Sequence, residues 1–291
     1  MIAISQTEKH FKYIIWIPTE SGPLITNFGE VNPPENFDIS KGQLSHVLEE
    51  IASSALNLLP QFQISLDFNN VFVSENLLNF DDYVQWKDEQ SFNSDFKQLY
   101  DTYSYPFSKS LLNVHIKKSI KKGIIDSIQD TNGELRSLGL GIFSAEIGAR
   151  QWFQASKIDS YAIWRIGRNH LDQLLIVKNG EFDSLVTFKR LKKTIKQKHH
   201  LGSTFLSNNL LKEIQSSFIN ELEKFNSVEC VYVYSCENNS KNLKHVLDFD
   251  INNVILLNPF DVIDVSSNQS VKPLKGATFA ETGIGFRRVD V

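Results

Sequence analysis

Residues 161–190, YAIWRIGRNHLDQLLIVKNGEFDSLVTFKR, restrict the fold more than any other stretch, because two apolar β-rich runs flank Asn179-Gly180. Asn-Gly supplies the two positive-φ positions of a type I′ turn, whose twist suits antiparallel strands, so the pair is predicted to form a hairpin. Upstream, Ile166-Gly167-Arg168-Asn169-His170 breaks another extended run, residues 161–165, and three strands therefore follow one another as a meander. Short β-rich runs at residues 2–5, 11–18 and 24–31, with Ser21-Gly22-Pro23 between the last two, predict a second meander at the start of the chain. Each meander leads into alternating helices and strands. The class is α/β, and the two meander-led halves form a loose duplication.

Asn32-Pro33-Pro34 ends the first meander. Ser40 then stands where an N-cap is expected, before Leu44, Val47, Leu48, Ile51, Ala55 and Leu58 at helical spacing. Residues 63–66 and 71–78 read as strands, and Asp81-Asp82 opens an amphipathic helix to about residue 90, so a small α+β insert fits here. Residues 96–107 read as strand and loop, 111–116 as a strand, 117–131 as a helix ended by Gly133, and 138–143 as a β-like run. Gly139-x-Gly141 lacks the rest of a dinucleotide fingerprint. Past the second meander, Lys189, Arg190, Lys192, Lys193, Lys196, Lys198, His199 and His200 form the one strong charge run. It reads as a solvated edge or loop, with binding to acidic lipid or an acidic partner as the functional alternative. A helix over 203–225, a strand over 228–234, a short helix over 241–247, a strand over 254–257 and a short helix over 279–286 complete the pattern.

A chain of 291 residues that is 41% hydrophobic has length for one large or two medium cores, and a net charge of −4 argues against a bulk nucleic-acid binder. Cys230 and Cys236 make neither a CxxC pair nor a metal cluster. They read as ordinary buried residues, and with no long apolar run the expected setting is reduced and cytosolic. His10, His46, His115, His170 and His245 are scattered singly, and the sequence contains no Gly-x-Ser-x-Gly, His-Glu-x-x-His or Walker A motif. Asp81 and Asp82 are explained by a helix start, Asp88 and Glu89 by solvent exposure.

Several stretches together resemble PilM, the actin-like cytoplasmic protein of type IV pilus assembly, and its shorter relative MshI of mannose-sensitive haemagglutinin (MSHA) pili. Asn70-Val71-Phe72-Val73 through Leu77-Leu78, then Asp82-Tyr83-Val84-Gln85-Trp86-Lys87-Asp88-Glu89-Gln90, resembles the family's strand followed by its W-E-x-E/Q helix. Residues 125–143 resemble the helix and strand that lead back to the core. Asn258-Pro259-Phe260 resembles the family's N-P-F/W, and Phe279-Ala280-Glu281-Thr282-Gly283-Ile284-Gly285-Phe286-Arg287 its closing A-x-A-x-G-L-A-L-R helix. These pieces run in family order along nearly the whole chain. The cytoplasmic part of the secretion protein GspL shares much of the pattern.

The resemblance implies an actin-like (ribonuclease H-like) two-domain fold. Domain I would span residues 1–156, with a IC-like insert at about 63–128. A IIA-like domain II would span 157–291, with subdomain IIB absent or reduced between residues 201 and 225. It also implies where nucleotide loops would lie: Ala3-Ile4-Ser5, Arg165-Ile166-Gly167 and Ser235-Cys236-Glu237-Asn238-Asn239. The family's Asp-x-Gly has become Arg165-x-Gly167 in one loop, and Ala3, Ser5, Cys236 and Asn238 replace its acids and glycines in the others. The expectation is therefore a non-catalytic scaffold without cofactor. ATP and Mg²⁺ belong to the alternative, a divergent actin-like ATPase; a type II secretion component is another alternative. The implied partner is a PilN-like bitopic inner-membrane protein, with other pilus assembly proteins and no nucleic acid. Its tail would lie on Phe80, Tyr83 and Val84 with Asp81 and Asp82 at the rim, while Trp86 anchors the insert. The chain would then be cytoplasmic and reach the inner membrane through that partner.

Overall fold

The computed structural model describes residues 1–7, 10–54, 59–68, 70–77, 94–107, 110–218, 222–237, 240–248, 251–266 and 271–286. The first meander is β1 (Ile2–Gln6), β2 (Phe11–Thr19) and β3 (Gly22–Val31), antiparallel throughout. The helix Leu44–Ser53 crosses over to β4 (Gln61–Leu66), parallel to β1. The helix Lys118–Asp130 leads to β8 (Glu134–Leu140), parallel to β4. Between β4 and that helix lies a separate three-stranded antiparallel sheet of β5 (Val71–Leu77), β6 (Tyr100–Phe107) and β7 (Ser110–Lys117), in the order β5-β7-β6.

The second half repeats the plan. Strands β9 (Ser160–Ile166), β10 (Leu171–Lys178) and β11 (Glu181–Arg190) form the second meander, with β12 (Ile195–Gly202) added at its edge. The helix Thr204–Ser217 leads to β13 (Cys230–Ser235), parallel to β9. The helix Ser240–Leu247 leads to β14 (Val254–Leu256), parallel to β13. The orders β3-β2-β1-β4-β8 and β11-β10-β9-β13-β14 are the same topology twice.

Burial follows from this order. The inner strands β1 and β13 are covered on both faces and are buried from end to end, as parallel neighbours in a covered sheet must be. Leu44, Val47, Leu48 and Ile51, one helical stripe, pack with Ile2, Ile4, Phe62 and Ile64. Leu210 and Ile214 cover Ile163, Leu175 and Val231 in the same way. The Asn179-Gly180 turn forms as expected, both residues at positive φ, 53° and 78°.

The chain does not stay in the second half. After β14 it returns to the first sheet as β15 (Asp264–Val265), parallel to β3, and the buried 3-10 run Ala277–Phe286 packs against β1, β2, β4, β13 and the helix Gly141–Trp152. Phe279 and Ile263 form a small core there with Ile14 and Ile25.

Several expectations need correction. Ser40 does not cap the first helix: the Asp38 side chain accepts from Ser40 N at 2.9 Å to start a 3-10 turn, and Gly42, at φ 71°, separates that turn from the helix at Leu44. The strand over 63–66 is no part of the insert, because β4 pairs between β1 and β8, and the helix Lys118–Asp130 packs on the helix Leu44–Ser53; the insert sheet starts at Val71 and ends at Lys117. Residues 94–99 are helical before β6. The closing helix is 3-10 throughout. Half of the basic run is the strand β12, held by pairing with β11.

Candidate functional site

Open α/β sheets bind ligands outside the carboxyl ends of their strands, so the site is sought where those ends meet. The ends of β1 and β4 adjoin: Gln6 Oε1 accepts from Asp67 N at 3.4 Å and from Asn70 Nδ2 at 2.8 Å. Those of β9 and β13 adjoin through Cys236 N, which donates to Ile166 O at 3.2 Å. Arg165, on β9, joins the two pairs.

The Arg165 guanidinium is buried and donates from Nε to Glu281 Oε1 at 2.6 Å and from Nη2 to Asp67 Oδ1 at 3.4 Å. Glu281 Oε1 also accepts from Tyr234 Oη at 2.8 Å, and Asp67 Oδ1 from Phe68 N at 2.7 Å. Burial, and then the neighbouring Glu281, push the Tyr234 hydroxyl well above its ordinary range, which keeps it a donor. One cation thus binds an acid from the first sheet and an acid from the returning C-terminal segment. At the mouth, Arg168 meets Glu237 at 3.5 Å. Nearby, Lys12 is fully buried on β2, with Nζ 3.2 Å from Thr278 O and 5.7 Å from the centre of the Phe279 ring.

No protein-family model matches the sequence, and no curated protein matches it. The structure is similar to that of the PilM-PilN type IV pilus biogenesis complex, with a TM-score of 0.65 at 11% identity over 100% of this chain and 98% of that chain. The fold is actin-like. The cytoplasmic domain of EpsL, an inner membrane component of the type II secretion system of Vibrio cholerae, aligns at TM-score 0.46 and 9% identity, covering 98% and 94% of the two chains. An inorganic polyphosphate/ATP-glucomannokinase from Arthrobacter sp. strain KM aligns at 0.44 and 10%, covering 98% of each.

An actin-like fold that holds nucleotide presents backbone amides to phosphate at the turns after its first strands. Ala3 and Ser5 are not on such a turn. They lie inside β1, buried and paired on both sides, Ala3 with Ile14 and Gln63 and Ser5 with Lys12 and Ser65; the turn follows later, where Thr7 N donates to His10 O at 2.9 Å. Gly167 is on its turn, but its N–H donates to Asp172 Oδ1 at 3.1 Å. Asp172 also takes Trp164 Nε1 at 2.9 Å and Arg190. Cys236 N is engaged by Ile166 O, and Glu237 N by Ser235 Oγ at 3.2 Å. Burial pushes the Cys236 thiol up to about 11, so it stays protonated. These amides are committed inside the protein, and Asp67 and Glu281 carry Arg165 between them. The described residues of these turns do not fit Mg·ATP.

Gly167 is a glycine for the turn itself: a Cβ there would stand 1.8 Å from Leu171 O. Gly167→Ala is expected to cost about 1–3 kcal/mol, the range for forcing atoms into a packed region. Urea unfolding checks this, and unchanged stability would return the glycine to a ligand role.

Arg165, Gly167 and Cys236 lie at the carboxyl ends of β9 and β13, whereas Ala3 and Ser5 lie within β1. Asn238 and the groove residues Phe80, Asp81, Asp82, Tyr83 and Val84, with Trp86, lie outside the described residues. Sequence reasoning missed Asp67, Glu281 and Lys12. A signal for Glu281 existed, since it is the one acid in the apolar stretch 277–286.

Proposed function

We propose that this chain is a non-catalytic actin-fold scaffold of a type IV pilus-type, MSHA-like assembly machine, and that it captures the cytoplasmic N-terminal tail of a PilN-like inner-membrane protein. The observation that carries the non-catalytic part is Arg165, buried between Asp67 and Glu281 where an actin-like ATPase needs free acids and free amides. The likeness to the PilM-PilN complex supports the partner class. Among the described residues no helix is long and apolar enough to cross a membrane. In this reading the PilN-like partner is the membrane-borne member of the pair. The tail would dock at residues 80–84, where Phe80, Tyr83 and Val84 offer apolar contact and Asp81 and Asp82 meet a cation.

Thermal unfolding with excess Mg·ATP, alongside capture of a PilN-like N-terminal peptide, tests both parts. Nucleotide is expected to leave the transition where it is. A ligand at about a hundred times its dissociation constant adds roughly 2.7 kcal/mol, so an upward shift of several degrees would restore the ATPase alternative. The peptide is expected to bind, and Asp81→Lys with Asp82→Lys to weaken it without altering stability. Undiminished capture by that variant would move the docking surface elsewhere.

A further inference from the structure

The basic run is a strongly charged surface that the proposed scaffold function leaves unused. It forms the hairpin between β11 and β12, closed where Leu191 N donates to Thr194 O at 2.8 Å, and β12 is the outermost strand of its sheet. Its one arginine, Arg190, pairs with Ile195 beside the turn and is buried on Asp172, which ties the closed end of the hairpin to the fold. Lys189, Lys192, Lys193, Lys196 and Lys198 are all exposed, as is His199. Among the described residues none of the five lysines is in an ion pair. Leu191, 46% exposed, sits in their midst.

This concentration of cations stands in a chain whose net charge is −4. The lysines are exposed, flexible point charges on an edge hairpin, without the fixed guanidinium forks that read a defined carboxylate array. That suits a fluid layer of anionic headgroups, into which a central leucine inserts. We infer that the β11–β12 hairpin is a docking element for an anionic lipid surface. The inference does not rest on the PilN-like partner, because the hairpin acts on lipid directly.

Sedimentation of the full chain with vesicles, no partner present, tests this. Vesicles that are about one-third phosphatidylglycerol in phosphatidylcholine are expected to take the protein down at low salt, and phosphatidylcholine alone is not. Each lysine near such a surface contributes a factor of about five in partition, so Lys192→Gln with Lys193→Gln should lower binding about 25-fold. Both are exposed turn residues, so the variant should unfold at the same temperature as the parent. Salt at about 0.5 M should abolish binding, and Leu191→Ser should weaken it at low salt. Equal binding to neutral vesicles, or undiminished binding by the double lysine variant, would overturn the inference. Retention on soluble polyglutamate while anionic vesicles are ignored would also overturn it, in favour of an acidic polypeptide.

Discussion

Arg165→Ala is expected to lower the free energy of unfolding by about 3–5 kcal/mol, the range for removing one partner of a buried ion pair. The loss exceeds that of the two contacts themselves, because Asp67 and Glu281 would stay buried without the guanidinium that now bridges them. Urea denaturation of parent and variant measures it. Adding Glu281→Gln to Arg165→Ala should recover part of the deficit, since the neutral amide oxygen can still accept from Tyr234. If Arg165 were instead held for an anionic ligand, its removal would leave the free protein nearly as stable as before, and the structural reading would fall.

Lys12→Met should act the other way, raising stability by about 3 kcal/mol at neutral pH. Burial lowers the Lys12 ammonium to about 8 from its ordinary value of 10.5, against an opposing pull from Glu30, its cross-strand partner, and from Glu281. A drop of that size corresponds to about 3 kcal/mol. Between pH 8 and 10.5 the unfolded chain holds the proton more tightly than the folded one, so this residue makes the parent gain stability as pH rises through that window. Below pH 8 the penalty is present in full. The advantage of the methionine should therefore be largest at pH 7 and fade by about pH 10.5, and a stability difference that does not change with pH would refute the assignment. Thr278 O and the Phe279 ring offset part of the penalty, so the gain should fall below rather than above the full figure.

What could be read beforehand was what local chemistry decides. Asn179-Gly180 announces its turn because only a few residue types accept two positive φ values in succession, and both meanders are where their turns put them. Strand β12 was half legible: lysine, glutamine and histidine over 196–200 hide its apolar face, which is only Ile195 and Leu201 at its two ends, and pairing with β11 holds the rest. Ser40 looked like a cap by residue type, but it lies inside a 3-10 turn that Asp38 caps, and Gly42 ends that turn before the helix begins at Leu44. At the site, Arg165 stood out as a base in place of an acid. Its partners did not, since Asp67 lies 98 residues before it and Glu281 lies 116 after, and pairing over such distances leaves no periodicity to find. Lys12 was hidden for the opposite reason: a lysine in a strand is normally counted as solvent-facing.

The return of the chain to its first sheet also sets the order in which a newly made copy can become complete. Strand β1 ends at Gln6, but the run that covers it begins at Ala277, and β3 waits for β15 at Asp264. At about 5–20 residues per second of synthesis, the first meander spends roughly 15–50 s outside the ribosome without them. During that interval Ile14 and Ile25 lack Phe279, and the buried cations Lys12 and Arg165 lack Thr278 and Glu281. Residues 277–286 therefore close the first meander, and nascent chains stalled before residue 277 should be bound by chaperones far more than chains extended past residue 286.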